Sequence, residues 1–122
     1  MKKKVLFVED DAQIRTIIAV RLVAVGFEVL VAKDGQEGLD LARKELPDII
    51  LLDLMLPKMD GYKVCALLKT DMRYSRIPII IFTARAEGND MKMAKEAGAD
   101  AYITKPFEPE TLLSKIKELL NG

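Results

Sequence analysis

Asp48-Ile49-Ile50-Leu51-Leu52-Asp53 is the stretch of sequence that decides the fold. Its short β-branched and leucine run predicts a strand, and the lack of apolar–polar alternation predicts that both faces of that strand are buried. A strand covered on both faces is typical of the centre of a parallel sheet that has helices on either side. The prediction is therefore a central strand over Asp48–Leu52, with the carboxylate of Asp53 just beyond its end.

Similar apolar runs recur along the chain and alternate with segments of helical period. The predicted strands are Lys4–Val8, Glu28–Val31, Asp48–Leu52, Ile77–Phe82 and Ala101–Thr104. The predicted helices run from the cap Asp11 to about Val25, from a turn at Asp34-Gly35 to Leu46, from after Gly61 to about Met72, from about Glu87 to Ala97, and from Pro109 to Asn121-Gly122. This alternation predicts five βα units around one parallel sheet.

The first helix has apolar residues at helical spacing, and glycine or proline ends several of the helices. The apolar positions are Ile14, Ile17, Ile18, Leu22 and Val25. Gly26, Pro47 and Gly98 are the stop signals.

Polar side chains follow four of the predicted strands. They are Glu9, Asp10, Asp53, Thr83 and Lys105. Because the carboxyl ends of parallel strands meet at one edge of a sheet, these side chains are expected to lie together, where open α/β sheets bind ligands. Carboxylates beside a cation and a hydroxyl suit an oxygen-liganded metal and a phosphoryl group.

The bulk composition narrows the classes of function. A length of 122 residues indicates one domain, and a formal net charge of zero gives no electrostatic signature for nucleic acid or a membrane surface. Cys65 is the only cysteine, which excludes an internal disulfide and favours a cytoplasmic protein. No apolar run approaches the roughly 20 residues of a membrane helix.

The chain resembles a receiver domain of a two-component response regulator, of the chemotaxis-regulator type. Four motifs carry the resemblance, in family order and at family-like spacings: Val8-Glu9-Asp10-Asp11, Asp53-Leu54-Met55-Leu56-Pro57-Lys58-Met59-Asp60-Gly61, Thr83-Ala84 and Lys105-Pro106-Phe107. It implies a flavodoxin-like, doubly wound (βα)5 three-layer fold with sheet order 2-1-3-4-5, and one receiver domain over residues 1–122.

The resemblance implies that Asp53 accepts a phosphoryl group, with Thr83 and Lys105 contacting the phosphoryl oxygens. A carboxylate is a poor nucleophile unless the phosphoryl charge is neutralised. The domain would assist only its own phosphorylation and dephosphorylation. The resemblance therefore implies a regulatory domain rather than an enzyme.

The resemblance also implies a Mg²⁺ site, with Mn²⁺ as a substitute. Its ligands would be Glu9, Asp10, Asp53 and the main-chain carbonyl of Met55, with Glu9 acting through water. Three carboxylates this close would repel one another without a cation.

Four further roles follow from the resemblance. Thr83 and Tyr102 would form a switch that changes the surface of the fourth helix, fifth strand and fifth helix. Pro106 is a candidate for a cis peptide bond. Met55 and Arg85 would tune the phosphoryl lifetime. Gly61 would provide a turn with positive φ.

Other interpretations compete with this one. A haloacid-dehalogenase-like phosphatase would need a second aspartate two residues after Asp53, where this chain has Met55. A flavodoxin would need a phosphate-cradling loop where this chain is acidic. A receiver that works by binding alone is a third alternative. Taken singly, Thr83 would read as a helix cap and Lys105 as a surface lysine.

The chain has no histidine, so a phosphohistidine donor must be another molecule. The resemblance implies a histidine kinase or a histidine phosphotransfer protein, which would dock on a surface with Ile14, Arg15, Ile18 and Phe107 as candidates. A core role for Ile14 or Ile18 is the alternative.

The output of the domain is open from sequence. A single-domain regulator and a receiver cut from a longer protein both fit, and the output partner is unknown. Because Asp100 is followed by Ala101, the charge pattern of a dimerising subfamily is incomplete. A monomer or a weak phosphorylation-dependent dimer is expected, in which Asp100 could pair with Lys115 and Glu96 with Lys117.

Overall fold

The computed structural model describes residues 2–83, 88–105 and 107–121, and within them five strands alternate with five helices. The strands are β1 (Lys4–Val8), β2 (Glu28–Ala32), β3 (Ile49–Asp53), β4 (Ile79–Thr83) and β5 (Ala101–Thr104). The helices are α1 (Ala12–Ala24), α2 (Gly35–Glu45), α3 (Gly61–Lys69), α4 (Gly88–Glu96) and α5 (Pro109–Asn121). All neighbouring strands pair in parallel, in the order β2-β1-β3-β4-β5, which confirms the predicted fold class.

An apolar layer lies on each face of the sheet, because successive strand residues point to opposite faces. One layer joins Val5, Phe7, Ile49, Leu51, Ile80 and Phe82 to residues of α1 and α5. The other joins Leu6, Val8, Ile50, Leu52, Ile79 and Ile81 to residues of α2, α3 and α4. Strands β3 and β4 are buried along their whole length, as the continuous apolar runs predict. Burial of each such side chain contributes about 1.5–3 kcal/mol.

Aspartates cap the N-termini of three of the helices. Asp11, Asp34 and Asp60 each accept a hydrogen bond from an amide in the first turn of α1, α2 and α3. The predicted turn at Asp34-Gly35 is thus the capped start of α2. Gly26 and Gly98 have φ of 101° and 95°, which is consistent with their predicted role as helix stops. None of the described helices combines the length and apolar character needed to cross a bilayer.

Three predicted strand ends are wrong by one residue. Strand β2 ends at Ala32 instead of Val31, and Asp53 and Thr83 are the last residues of β3 and β4, not the first residues beyond them. Their backbones still pair with the neighbouring strands, opposite Phe82 and Thr104. The apolar-to-polar change marks a change in chemistry and not the end of the strand, because both polar residues are buried and stay in the main-chain ladder.

The predicted end of α3 at about Met72 is also wrong. The helix ends at Lys69, with Thr70 as its cap. The Thr70 hydroxyl donates to the Ala66 carbonyl at 2.7 Å, and the following turn places the Arg73 guanidinium 2.8 Å from Asp71. Local hydrogen bonds of this kind replace the next helical turn.

Gly61 does not adopt the predicted positive φ; among the described glycines only Gly26 and Gly98 do so. Its role is close packing. A Cβ at this position would lie 2.3 Å from the main-chain oxygen of Asp53, so a larger residue would displace the end of β3. Within the same loop Lys58 takes the left-handed conformation, with φ of 67°.

Helix α1 buries a narrower stripe than its sequence predicts. Ile18 and Leu22 are buried, whereas Ile17 is 59% exposed and Val25 is 48% exposed. Residues spaced by four face the sheet, and Ile17 lies just outside that stripe. The predicted apolar face is therefore correct for Ile18 and Leu22 and wrong for Ile17 and Val25.

Candidate functional site

The carboxyl edge of the sheet brings acidic and basic side chains into contact. Glu9 and Asp10 follow β1, Asp53 ends β3, Thr83 ends β4, and Lys105 follows β5. Each of these strands is parallel to its neighbours, so their ends lie side by side. The contacts described below join residues that are up to 96 positions apart in the sequence.

Three carboxylates form a compact cluster at this edge. Glu9, Asp10 and Asp53 each offer an oxygen, and these oxygens all lie within 4.8 Å of one another. Glu9 and Asp53 are buried, with 1% and 4% of their surfaces exposed, while Asp10 is exposed. A set of oxygen ligands with an open side fits a hard divalent cation such as Mg²⁺.

Lys105 connects two members of this cluster. Its Nζ lies 2.6 Å from Glu9 Oε1 and 3.1 Å from Asp53 Oδ2. Burial lowers the pKa of Lys105, but the hydrogen bond to Glu9 and the charge of Asp53 outweigh burial and hold that pKa above its usual value. The ammonium therefore stays charged and offsets part of the negative charge of the cluster. It also lies over the ring of Phe82, 5.0 Å from the ring centroid.

Burial and the neighbouring Glu9 disfavour the ionised form of Asp10. Desolvation, followed by the hydrogen bond and the charge of Glu9, raises the pKa of Asp10 above its ordinary value of 3.8. A cation bound beside Asp10 would relieve this effect. A raised pKa is the direction expected of a carboxylate that is desolvated beside another carboxylate with no cation bound to the pair.

Both carboxylate oxygens of Asp53 have a described partner. Oδ1 accepts a hydrogen bond from the Met55 amide at 3.2 Å, and Oδ2 faces Lys105. The Met55 side chain is 57% exposed beside this site. The loop after Asp53 therefore orients the carboxylate, and Gly61 lets the start of α3 pack against it.

Thr83 and Tyr102 lie on the same face of the sheet. Thr83 is fully buried and pairs with Thr104, whereas Tyr102 pairs with Ile81, two residues earlier in β4. Tyr102 therefore lies diagonally across from Thr83 on the neighbouring strand. Tyr102 is half-buried and lines a cavity of about 210 Å³ with residues of α4 and the α4–β5 loop, including Met91, Ala94 and Lys95. The Lys105 amide also donates to the Thr83 carbonyl at 2.7 Å.

Three residues named from the sequence, Ala84, Arg85 and Pro106, lie outside the described residues. The lifetime role of Arg85 and the cis peptide at Pro106 stay predictions. The predicted surface pair between Asp100 and Lys115 is absent from the described ion pairs: Asp100 pairs with Lys69 at 2.7 Å, and Lys115 pairs with Glu118.

The sequence analysis missed two contacts that support the site. Arg15, which the sequence suggests as part of a docking surface, donates to main-chain oxygens of the acidic loop. Lys58 lies 3.6 Å from Asp34, which ties the loop after β3 to the start of α2. The Lys58 contact joins segments that are distant along the chain, and the Arg15 contact turns back along it. No sequence motif indicates either contact.

The remaining docking candidates separate by burial. Ile18 is 6% exposed and belongs to the core, and Ile14 and Phe107 pack against the same layer while staying partly exposed. The core alternative is thus confirmed for Ile18.

A family model described as the response regulator receiver domain matches residues 5–117. The chain is 44% identical over 119 residues to "Probable transcriptional regulator ycf27" of Guillardia theta, a match that covers 98% of this chain and 46% of that protein. It is similar to the solved structure of a CheY-like response regulator receiver domain protein from Methanospirillum hungatei JF-1, with a TM-score of 0.94, 34% identity and coverage of 99% and 95% of the two chains.

A second solved structure bears on the acidic cluster. The receiver domain of sensor histidine kinase PA1611 from Pseudomonas aeruginosa PAO1 was solved with a magnesium ion coordinated in the active site cleft. It is 30% identical to this chain, has a TM-score of 0.92, and the match covers 100% of both chains.

The chain spans about half the length of the curated relatives it matches. The family match excludes the phosphatase and flavodoxin alternatives, because the matching family is the receiver domain. Receiver domains are regulatory phosphoacceptor domains rather than enzymes. The family match, the sheet order and the acidic cluster agree, and the chain belongs to the response regulator receiver domains.

Proposed function

We propose that this chain, as one receiver domain over residues 1–122, is a switch activated by phosphorylation of Asp53. The observation that carries the proposal is the contact of a buried Asp53 with Lys105, beside two further carboxylates. A carboxylate held between an amide and an ammonium is fixed in direction and is available for attack on phosphorus.

In the proposed reaction an Asp53 carboxylate oxygen forms a bond to phosphorus. The bond from phosphorus to the imidazole nitrogen of the donor breaks at the same centre, and its electron pair stays on that nitrogen. Lys105 exchanges its contact with Asp53 for a phosphoryl oxygen, and the Thr83 hydroxyl donates to another. Hydrolysis later returns the free carboxylate and inorganic phosphate, at a rate that Met55 and Arg85 would tune.

Glu9, Asp10 and Asp53 would hold Mg²⁺, with the main-chain carbonyl of Met55 as a further ligand and Mn²⁺ as a substitute with similar ligand preference. When bound, the ion neutralises charge that would otherwise keep a carboxylate and a phosphoryl group apart. The closeness of the three carboxylates and the raised pKa of Asp10 support this assignment.

The switch would act through Thr83 and Tyr102. Phosphorylation replaces one negative charge by about 1.5–2 and adds strong acceptor oxygens, which draws Thr83 toward the phosphoryl group. The space that Thr83 leaves lies on the face of the sheet that carries Tyr102, so the ring can turn inward and change the α4–β5–α5 surface. Moving such an equilibrium from mostly off to mostly on needs on the order of 5 kcal/mol of preference.

The phosphoryl donor would be a histidine kinase or a histidine phosphotransfer protein, because the chain itself has no histidine. We place the protein in the cytoplasm as a monomer or weak phosphorylation-dependent dimer, with no direct binding of nucleic acid or membrane by this chain. Its output would pass to a partner or effector domain. Control of transcription is a candidate output, since curated relatives about twice as long are named transcriptional regulators.

Intact-mass spectrometry after incubation with acetyl phosphate, with and without Mg²⁺, tests the proposal. The expected result is a Mg²⁺-dependent gain of one phosphoryl group in the wild type and none in Asp53→Asn. Lys105→Ala should retain some labelling but lose the surface response. Labelling of Asp53→Asn at the wild-type level would refute the site. No labelling of folded wild type would favour a domain that signals by binding alone.

A further inference from the structure

Arg15 reaches back from α1 to the loop that carries the acidic pair. It lies in the first turns of the helix and is half-buried. Its Nη1 donates to the main-chain oxygen of Glu9 at 2.8 Å and lies 3.4 Å from that of Asp10. Long helical side chains point toward the helix N-terminus, which is the direction this contact needs.

We infer that Arg15 is a positioning residue for the cation site, an inference that rests on the proposed function. The loop from Glu9 to Asp11 is short and carries two of the three clustered carboxylates. Rotation of the peptide between Glu9 and Asp10 would redirect both side chains together. A single charged donor that holds the two consecutive carbonyls restrains that rotation.

The other contacts of the loop leave this restraint to Arg15. The Glu9 amide donates to the Ala32 carbonyl at 3.0 Å, and Glu9 Oε2 accepts from the Asp11 amide at 3.1 Å. Lys105 also binds Glu9 Oε1, and Asp11 accepts from the amides of Gln13 and Ile14. These contacts fix the two ends of the loop and the Glu9 side chain, but none of them engages the main-chain oxygen of Glu9 or Asp10. The Arg15 contact is the one described at the main-chain oxygen of Asp10, which is the exposed member of the cluster.

The chemistry of the contact suits a supporting role. Because the guanidinium binds main-chain oxygens, it braces the loop without taking up the carboxylate oxygens that a cation needs. Groups that orient metal ligands from outside typically change metal affinity by about 10- to 100-fold when they are lost. Arg15→Met, which keeps a stem of similar length but removes charge and donors, should weaken Mg²⁺ binding by that factor.

Two variants make the comparison specific. Arg15→Lys keeps the charge and a donor and should recover part of the affinity. Arg21→Met removes an arginine from the last turn of the same helix, about 9 Å further along its axis, and should leave the affinity unchanged.

The test is a titration of each isotopically labelled variant with Mg²⁺ alone, followed by the NMR shifts of the acidic-loop amides, without any phosphodonor. Thermal unfolding in EDTA checks that each variant is folded. A second readout is the rate of acetyl phosphate labelling against Mg²⁺ concentration. The half-saturating Mg²⁺ concentration should rise in Arg15→Met, while the rate at saturation changes little.

Several results would overturn the inference. Binding of Mg²⁺ by Arg15→Met as tightly as by the wild type would remove the positioning role. A lower maximal rate with unchanged half-saturation would indicate a general structural defect instead. An Arg15→Lys variant as weak as Arg15→Met would exclude the charge-assisted contact as the cause. A folded wild type that binds no Mg²⁺ would refute the proposed function as well.

Discussion

Replacing Lys105 by methionine tests whether its ammonium stabilises the acidic cluster when no metal is bound. Nζ lies 2.6 Å from Glu9 and 3.1 Å from Asp53, and the lysine side chain is 18% exposed. Methionine keeps much of the apolar stem of the side chain and removes the charge, together with the ammonium contact to the Phe82 ring. The buried carboxylates of Glu9 and Asp53 then face each other without a neighbouring cation. The folded state cannot fully solvate their negative charges.

The expected loss follows from this burial. Removing one partner of a buried ion pair destabilises a protein by about 3–5 kcal/mol. We expect about 2–3 kcal/mol here, because the site is open at the sheet edge and Lys105 keeps some exposure. In a domain of this size 1 kcal/mol shifts the melting temperature by about 3–5 °C, so Lys105→Met should melt roughly 6–15 °C lower in EDTA.

Mg²⁺ should reverse much of this loss, since the variant no longer repels a bound divalent cation. Thermal unfolding followed by circular dichroism in EDTA and in saturating Mg²⁺ measures both effects. Lys115→Met is the control, because its pair with Glu118 is exposed and contributes about 0.5 kcal/mol or less. A loss in Lys105→Met no larger than in the control, or a Mg²⁺ gain no larger than in the wild type, would refute the reasoning.

Three other substitutions test separate parts of the structure. Gly61→Ala places a Cβ 2.3 Å from the Asp53 carbonyl, so we expect about 1–3 kcal/mol of destabilisation by urea unfolding and labelling slower by up to about 100-fold; wild-type labelling would contradict this. Asp10→Asn should raise stability at pH 7 in EDTA. Because the pKa of Asp10 is raised, the folded wild type loses stability as pH rises through that pKa. The stability gain of Asp10→Asn over the wild type should therefore vanish below pH 3.8. An equal gain at pH 3.5 would argue against the electrostatic cause. Lys69→Met breaks the pair with Asp100 at 2.7 Å at the opposite sheet edge. Because the Asp100 side chain is 36% exposed, the loss should be about 1–2 kcal/mol, while labelling stays unchanged; slower labelling would show coupling between the two edges.

The pattern of apolar runs was sufficient for the parallel sheet and for the edge that carries the site, whereas the strand order came from the resemblance to receiver domains. Continuous apolar runs such as Ile49–Leu52 mark strands covered on both faces, and parallel strands must end at a common edge. Any polar residue that ends such a run is therefore placed there by the fold. This reasoning predicts that Glu9, Asp53 and Lys105 lie together, and their contacts confirm it.

The sequence was insufficient where a contact depends on side-chain direction or on close backbone approach. The Arg15 contact to the acidic loop needs the side chain to run back along its helix, and an arginine on a helix surface gives no such signal. Gly61 was assigned a positive φ because glycine permits one, although the same residue type also serves where two backbones approach closely. Ile17 is exposed because it lies just outside the stripe of residues spaced by four that faces the sheet, and periodicity alone does not determine how wide that stripe is.

The placement of Asp53 and Thr83 within strands, instead of after them, affects the entropy of ligand capture. Their backbones lie in the parallel ladder, opposite Phe82 and Thr104, so their conformational freedom is already lost when the protein folds. A phosphoryl group that arrives later needs to order only side chains and the loop segments after the strands. The affinity for the phosphoryl group and the rate of its capture are then set mainly by the few groups that remain mobile. The sheet has already fixed the backbones of Asp53 and Thr83 before the phosphoryl group arrives.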